Sequence, residues 1–191
     1  MALLTIEERQ TYLKYLGYYS GSIDGVAGLL THAAYRALQD DFFVRKDDLD
    51  GKYGPNTDLL LRNAYNVKKY TDNFSLKEFK CGCNGKYCTG YPVELDPQLL
   101  VNLQKIRDAY GPTTITSGLR CKRHNASLAG SSVTSRHLNG KAVDLKNSTS
   151  YAVTGRKEIM DKWRSLCGGY TYANINGSHP NMGTAVHVQT N

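Results

Sequence analysis

Two turns of one pattern constrain the first third of this chain more than any other feature. Asp24-Gly25-Val26-Ala27-Gly28 runs on to Thr31, and Asp50-Gly51-Lys52-Tyr53-Gly54 runs on to Thr57, so both fit D-G-x-x-G-x-x-T. Glycine takes the left-handed backbone that a tight turn needs, and threonine suits a helix N-cap. Each copy therefore reads as a turn that opens a helix. Apolar residues at helical spacing follow: Ala34 and Leu38 after the first copy, Leu60 and Ala64 after the second. Before the first copy, Ile6, Tyr12, Leu13 and Leu16 predict a further helix, closed by Gly17. Residues 1–66 are expected to form a small three-helix all-α domain.

The next stretch, 67–80 (VKKYTDNFSLKEFK), is polar and reads as a linker, with Ser75 capping a short helix. From residue 81 to 191 the pattern is mixed. Leu95, Leu99, Leu103 and Ile106 sit at helical spacing behind Asp96 as cap and Pro97 in the first turn. Thr113–Thr116, Ala142–Leu145 and Ala185–Val188 read as strands, and Tyr151–Trp163 as a helix. No βαβ alternation appears. The expectation is an α+β domain with a small antiparallel sheet and flanking helices.

Composition excludes several classes of function. The formal net charge is +7. A basic balance favours polyanions, wall polymers among them, without choosing one. There is no basic stripe and no RNP-like aromatic motif, so no nucleic-acid partner is expected. No apolar run approaches the ~20 residues of a membrane span. MALLTIEERQTYL lacks the basic and apolar regions of a secretory signal, so the protein is expected to be made in the cytoplasm of its host. A monomer is expected. Five cysteines occur, an odd number that argues against a disulfide scaffold. Cys81-x-Cys83-x4-Cys88 is close enough for metal thiolates, with Cys121 as a fourth, although zinc fingers usually separate the first pair by about two to four residues. Reduced thiols in a loop are the plainer reading.

Four segments draw attention for chemistry: Ser117-Gly118-Leu119-Arg120, Ser135 to Asp144, Gly168-Gly169, and His187. A hydrolytic zinc site needs three protein ligands and one open position, and the third ligand often comes from far along the chain. A turn at Gly140 would bring His137 and Asp144 together, and His187 on the last strand would complete the set. Zinc there would polarise a scissile carbonyl and acidify a bound water. By residue type and spacing alone, a histidine is more often core or surface filler than a ligand.

The wording around these residues narrows the choice. Ser135-x-His137-x-x-Gly140-x-Ala142-x-Asp144, with Ser117-Gly118-x-Arg120 and Asn125 upstream and His187-Val188 at the end, resembles the zinc D-alanyl-D-alanine carboxypeptidase and L-alanyl-D-glutamate endopeptidase family. The first 65 residues resemble the peptidoglycan-binding domain attached to many wall hydrolases. They carry Gln10-x-x-Leu13-x-x-Leu16-Gly17-Tyr18-Tyr19, both D-G turns, and Ala34-x-x-Ala37-Leu38-Gln39. Tyr18, Tyr19 and Tyr53 beside the turns could stack on wall sugar or peptide, or simply be buried. The first resemblance implies that His137, Asp144 and His187 bind Zn2+. It also implies that Arg120 faces a substrate carboxylate or carbonyl, and that Ser135 orients a ligand or touches substrate.

One departure stands out. Many relatives carry an acid three residues before or two after the last histidine, and here those positions are Thr184 and Gln189. Neither accepts a proton near neutral pH. No Asp or Glu occurs from Cys167 onward, which leaves His179 as the nearby candidate base. The expected function is a zinc peptidase cutting the peptide part of bacterial peptidoglycan, as a phage endolysin does after release to the wall. A wall-binding protein with a degenerate peptidase fold is the alternative.

Overall fold

In the computed structural model, which describes residues 2–191, the N-terminal part consists of α1 (Ile6–Leu16), α2 (Leu29–Phe42) and α3 (Pro55–Tyr70). Thr5 and Glu8 form a capping box that starts α1, and Gly17 ends it in the left-handed region at φ 94°. Both D-G turns are built around a buried glutamine. Gln10 accepts from the backbone N–H groups of Asp24 and Gly25, at 3.0 Å each, and donates to the Asp24 carboxylate at 2.7 Å. Gln39 does the same in the second copy, accepting from Gly51 N at 2.8 Å and donating to Asp50 at 2.9 Å.

The threonines of the repeat are not N-caps as expected. Gly28 and Gly54 hold the cap positions of α2 and α3, and Thr31 and Thr57 lie buried one turn further in. Their hydroxyls accept from the Gln10 and Gln39 amides and donate back to Val26 O and Lys52 O. Each repeat is thus closed by a side-chain network rather than by a cap. Tyr19 is buried, and the Tyr53 hydroxyl donates to Asp58 at 2.6 Å, so both serve the core. The Tyr18 hydroxyl donates to Asp41.

The stretch 67–80 is not a linker. α3 continues to Tyr70, and Phe74, Leu76 and Phe79 are buried in a core continuous with both halves of the chain. Ser75 caps a short 3-10 turn, Leu76–Phe79, through a capping box with Glu78. Asn63 of α3 is fully buried. Its side chain accepts from Leu95 N at 2.7 Å and donates to Val93 O at 2.9 Å. A cut after residue 66 would therefore fall inside a helix packed against the second half.

That half contains α4 (Pro97–Tyr110), β1 (Thr113–Ser117), α5 (Lys122–Ser127), β2 (Ala142–Asn147), α6 (Val153–Cys167), β3 (Thr171–Ala173) and β4 (Val186–Gln189). The four strands form one antiparallel sheet in the order β1-β2-β4-β3. Side chains alternate between its faces. Val143, Leu145, Val186 and Val188 are fully buried on one face with Ile106 of α4 and with Ile159 and Trp163 of α6. Asp144 and His187 lie on the other. β3, three residues long, is the strand that no sequence pattern indicated. Gly168 ends α6 at φ 65°, and Gly169 packs so closely on the Gln189 carbonyl that a side chain would collide with it. This glycine pair shapes the fold.

Candidate metal centre

Asp144 and His187 are direct cross-strand partners on β2 and β4, and Tyr172 on β3 is the next residue in the same row. The Asp144 carboxylate is central. Its Oδ1 lies 2.8 Å from His187 Nδ1 and 3.4 Å from His137 Nε2, and its Oδ2 accepts from Arg120 Nη2 at 2.8 Å. His137 comes from a short 3-10 turn, Arg136–Asn139, which Gly140 closes at φ 68°. No residue with a Cβ fits at Gly140, because the Glu94 carbonyl occupies that space.

Both imidazoles are oriented from behind. His137 Nδ1 donates to the Gly118 carbonyl at 2.7 Å, which leaves Nε2 as a lone pair facing Asp144. That Nε2 is buried and has no hydrogen-bond partner among the described residues. His187 Nε2 lies 3.2 Å from Gln189 Oε1, and in the tautomer that donates this proton to Gln189, Nδ1 presents a lone pair to Asp144. Two lone pairs and a carboxylate oxygen thus converge, with their atoms within 4.8 Å of one another. Such a cluster needs a cation or extra protons at its centre. Two imidazoles and a carboxylate suit zinc, and a second ring nitrogen bonded to an oxygen acceptor is the usual way to orient a ligating histidine. The residues present fit the metal.

Burial pushes the Asp144 carboxyl upward, but the two imidazoles, when protonated on the nitrogens that face it, outweigh burial and hold the group well below the usual carboxylate range; a cation at the centre would take the place of those protons. Burial pushes His137 below the ordinary imidazole range, against the pull of Asp144. A neutral imidazole beside an ionised carboxylate is the protonation state a metal requires.

Arg120 is anchored on the same carboxylate. Its Nε and Nη2 both donate to Ser117 Oγ, at 3.1 and 2.8 Å, which leaves the Nη1 end without a protein partner among the described residues. A β-bulge between Ile115 and Ser117 brings Ser117 opposite Asp144. Gly118 packs on the Phe79 backbone with no room for a side chain. The S-G-x-R motif is therefore three separate requirements in one turn. Ser117 holds Arg120, Gly118 lets the chain pass Phe79 and supplies the carbonyl for His137, and Arg120 steadies Asp144.

An open cleft of about 1030 Å³ leads to this cluster, lined by Arg120, Ser135, Tyr170, Tyr172, His179 and Gln189 among others. The Tyr172 ring stacks on His187 at 4.3 Å and packs on His179 at 4.7 Å. His179 shares the cleft but makes no hydrogen bond to the triad among the described residues. Ser135 lines the cleft at the start of the His137 turn without capping it. Asn125 is buried away from the cluster and donates to Ser132 O at 2.9 Å, which pins one wall of the cleft. Thr184 borders a smaller hollow beside Asp144. The roles of Gln189 and Tyr172 were not legible beforehand. The only signal for them was their place, two residues after His187 and within a short Thr-Tyr-Ala run.

The fold and this cluster together describe an α+β domain with a two-histidine, one-carboxylate centre at the base of an open cleft. The profile of the Peptidase M15 family matches residues 72–173, more than half of the chain, and the chain belongs to that family. The match includes Arg120, His137 and Asp144 and ends before β4. A peptidoglycan binding domain profile matches residues 5–58. Among curated proteins, the spore cortex-lytic enzyme of Bacillus subtilis (strain 168) is 40% identical over 62 residues, 31% of this chain and 20% of that enzyme. The spore cortex-lytic enzyme of Bacillus cereus is 39% identical over 66 residues, 35% of this chain and 24% of that enzyme. The chain thus matches a quarter or less of the length of these relatives.

Proposed function

We propose that this chain is a zinc-dependent peptidase that cuts the peptide part of bacterial peptidoglycan, held on its insoluble substrate by the N-terminal helical unit. The observation that carries this reading is the convergence of His137 Nε2, Asp144 Oδ1 and His187 Nδ1 at the base of a cleft open to a peptide. Zinc held by those three residues would supply Lewis acidity and an acidified water. The remaining roles belong to the chain's own groups. The free Nη1 end of Arg120 binds a substrate carboxylate or carbonyl oxygen, while its other end keeps Asp144 in place. Gly118 O and Gln189 hold the two imidazoles in the ligating tautomer. His179 is the base of this proposal, because an imidazole is the side chain suited to proton exchange near neutral pH and it lies in the same cleft. Binding and cutting units in one chain raise the effective concentration of the site at the wall. A phage endolysin acting on its host's wall is the setting for this reading.

The test combines zinc content with loss of turbidity of purified cell walls, and mass spectrometry of the released peptides identifies the bond. His137→Ala should lose both the zinc of this centre and the lytic activity. Full activity in that variant would refute the assignment. The second reading, an inactive wall-binding protein, is favoured by Thr184 and Gln189 standing where an acid is expected. Wild-type protein that carries zinc and binds walls but releases no peptide would establish it.

A further inference from the structure

Apart from the three ligands, a second cluster gathers every cysteine but Cys167. Cys81, Cys83, Cys88 and Cys121 bring their sulfurs within 4.8 Å of one another, with Cys81 and Cys83 buried and the other two partly so. Cys83 Sγ and Cys88 Sγ are 3.5 Å apart. Tetrahedral zinc with Zn–S bonds of about 2.3 Å needs sulfurs roughly 3.8 Å apart, so the four are already gathered at that scale. We propose that Cys81, Cys83, Cys88 and Cys121 bind one structural zinc ion, independent of the His137–Asp144–His187 centre.

The backbone around the sulfurs is shaped for this. Asn84 and Gly85 take left-handed conformations, at φ 49° and 85°, and fold the chain between Cys83 and Cys88 back on itself. Lys86 N donates to Cys83 O at 3.0 Å and closes that turn. The His124 ring lies over Gly82, where a Cβ would come within 2.9 Å of its Nε2. A larger residue at this position would have to displace the His124 ring. Backbone N–H groups point at sulfur from two sides, Cys121 N at Cys81 Sγ and His124 N at Cys121 Sγ, each at 3.4 Å. Such donors stabilise thiolates. Four soft sulfur donors in a closed tetrahedral set select zinc over hard cations, and the absence of an open position marks a structural site.

The site also has a position with consequences. Cys121 directly follows Arg120, and Leu119 N donates to Phe79 O at 2.9 Å, two residues before Cys81. An ion bridging Cys81 and Cys121 would lock these two segments together immediately beside the arginine that steadies Asp144.

The experiment is metal analysis of the full chain, purified under reductant without chelator, as wild type, His137→Ala and the double variant Cys83→Ser/Cys88→Ser. Wild type should carry about two zinc ions and His137→Ala about one. Cobalt-substituted His137→Ala should keep an intense thiolate-to-cobalt charge-transfer band, and the double cysteine variant should lack it. If the cysteine variant does not fold, the wild-type and His137→Ala measurements decide alone. A His137→Ala protein that is folded but free of zinc, iron in place of zinc, or a Cys83–Cys88 disulfide detected by mass would each overturn the proposal.

Discussion

Removing the Asn63 side chain should destabilise the whole chain, although Asn63 lies far before His137, Asp144 and His187 in the sequence. Its amide is fully buried and makes two hydrogen bonds to the segment that enters α4. In Asn63→Ala the Leu95 N–H is left buried without a partner, which costs about 1–3 kcal/mol, and the Val93 carbonyl loses a bond worth about 0.5–1.5 kcal/mol. The total of about 1.5–4.5 kcal/mol corresponds to a fall in Tm of roughly 3–18 °C for a chain of this size. Asn66→Ala is the control. Asn66 donates to the Glu94 side chain at 3.0 Å, and loss of that bond should cost about 1 kcal/mol or less. Urea unfolding followed by circular dichroism gives both values, and hydrogen exchange should show faster opening at the Leu95 amide in Asn63→Ala only. Equal costs for the two variants would refute the reasoning. So would two separate unfolding transitions in the wild type, because a shared core and a shared helix require one.

Three further outcomes are expected. Deleting residues 1–66 should give an insoluble or unfolded product, since it cuts α3 and removes Leu60, Leu61, Asn63 and Ala64 from the core; soluble expression and circular dichroism check this. His179→Ala should lower kcat by ~10²–10⁴-fold with zinc content unchanged, and Gln189→Asp should raise activity or rescue that variant; wild-type turnover in His179→Ala removes His179 from the mechanism. In chelator-treated protein, stability should fall as pH drops below the unfolded imidazole value of ~6.5, because the unfolded chain binds a proton that buried His137 resists. The loss should stop once pH passes the lower folded value, and His137→Gln should lack this slope in urea midpoints measured across that range. Asp144 contributes in a separate, more acidic window, where stability is lost as pH falls from its unfolded value of ~3.9 through its depressed folded value.

The helices opened by the D-G turns are legible because glycine and apolar spacing act locally. What closes those turns is not, since Gln10 and Gln39 sit 14 and 11 residues before the aspartates they bind. The polarity of 67–80 hides a helix end and five buried side chains, Val67, Thr71, Phe74, Leu76 and Phe79, because lysines on α3 face solvent while Val67 faces the core. His137 and Asp144 share one motif and one turn, so their approach can be read from spacing. The pairing of Asp144 with His187 depends on strand register across 43 residues, which no local pattern encodes. Gln189 reads as a missing acid, and the side chain turns out to orient His187. That role depends on a 3.2 Å contact and not on its charge.

The cross-strand row of Asp144, His187 and Tyr172 limits how this sheet can change over time. Shifting β4 by one residue against β2 would set Asp144 opposite Val186 or Val188, turn His187 into the hydrophobic layer, and expose two valines that are now fully buried. Apolar packing on one face and the polar row on the other reject the same slips, so the register is checked twice. Single-residue insertions or deletions within β2 or β4 are thereby closed to the lineage and to the engineer. Length variation is confined to the connections, among them the 174–185 segment that carries His179, and there new substrate preferences can arise without disturbing the alignment of the strands.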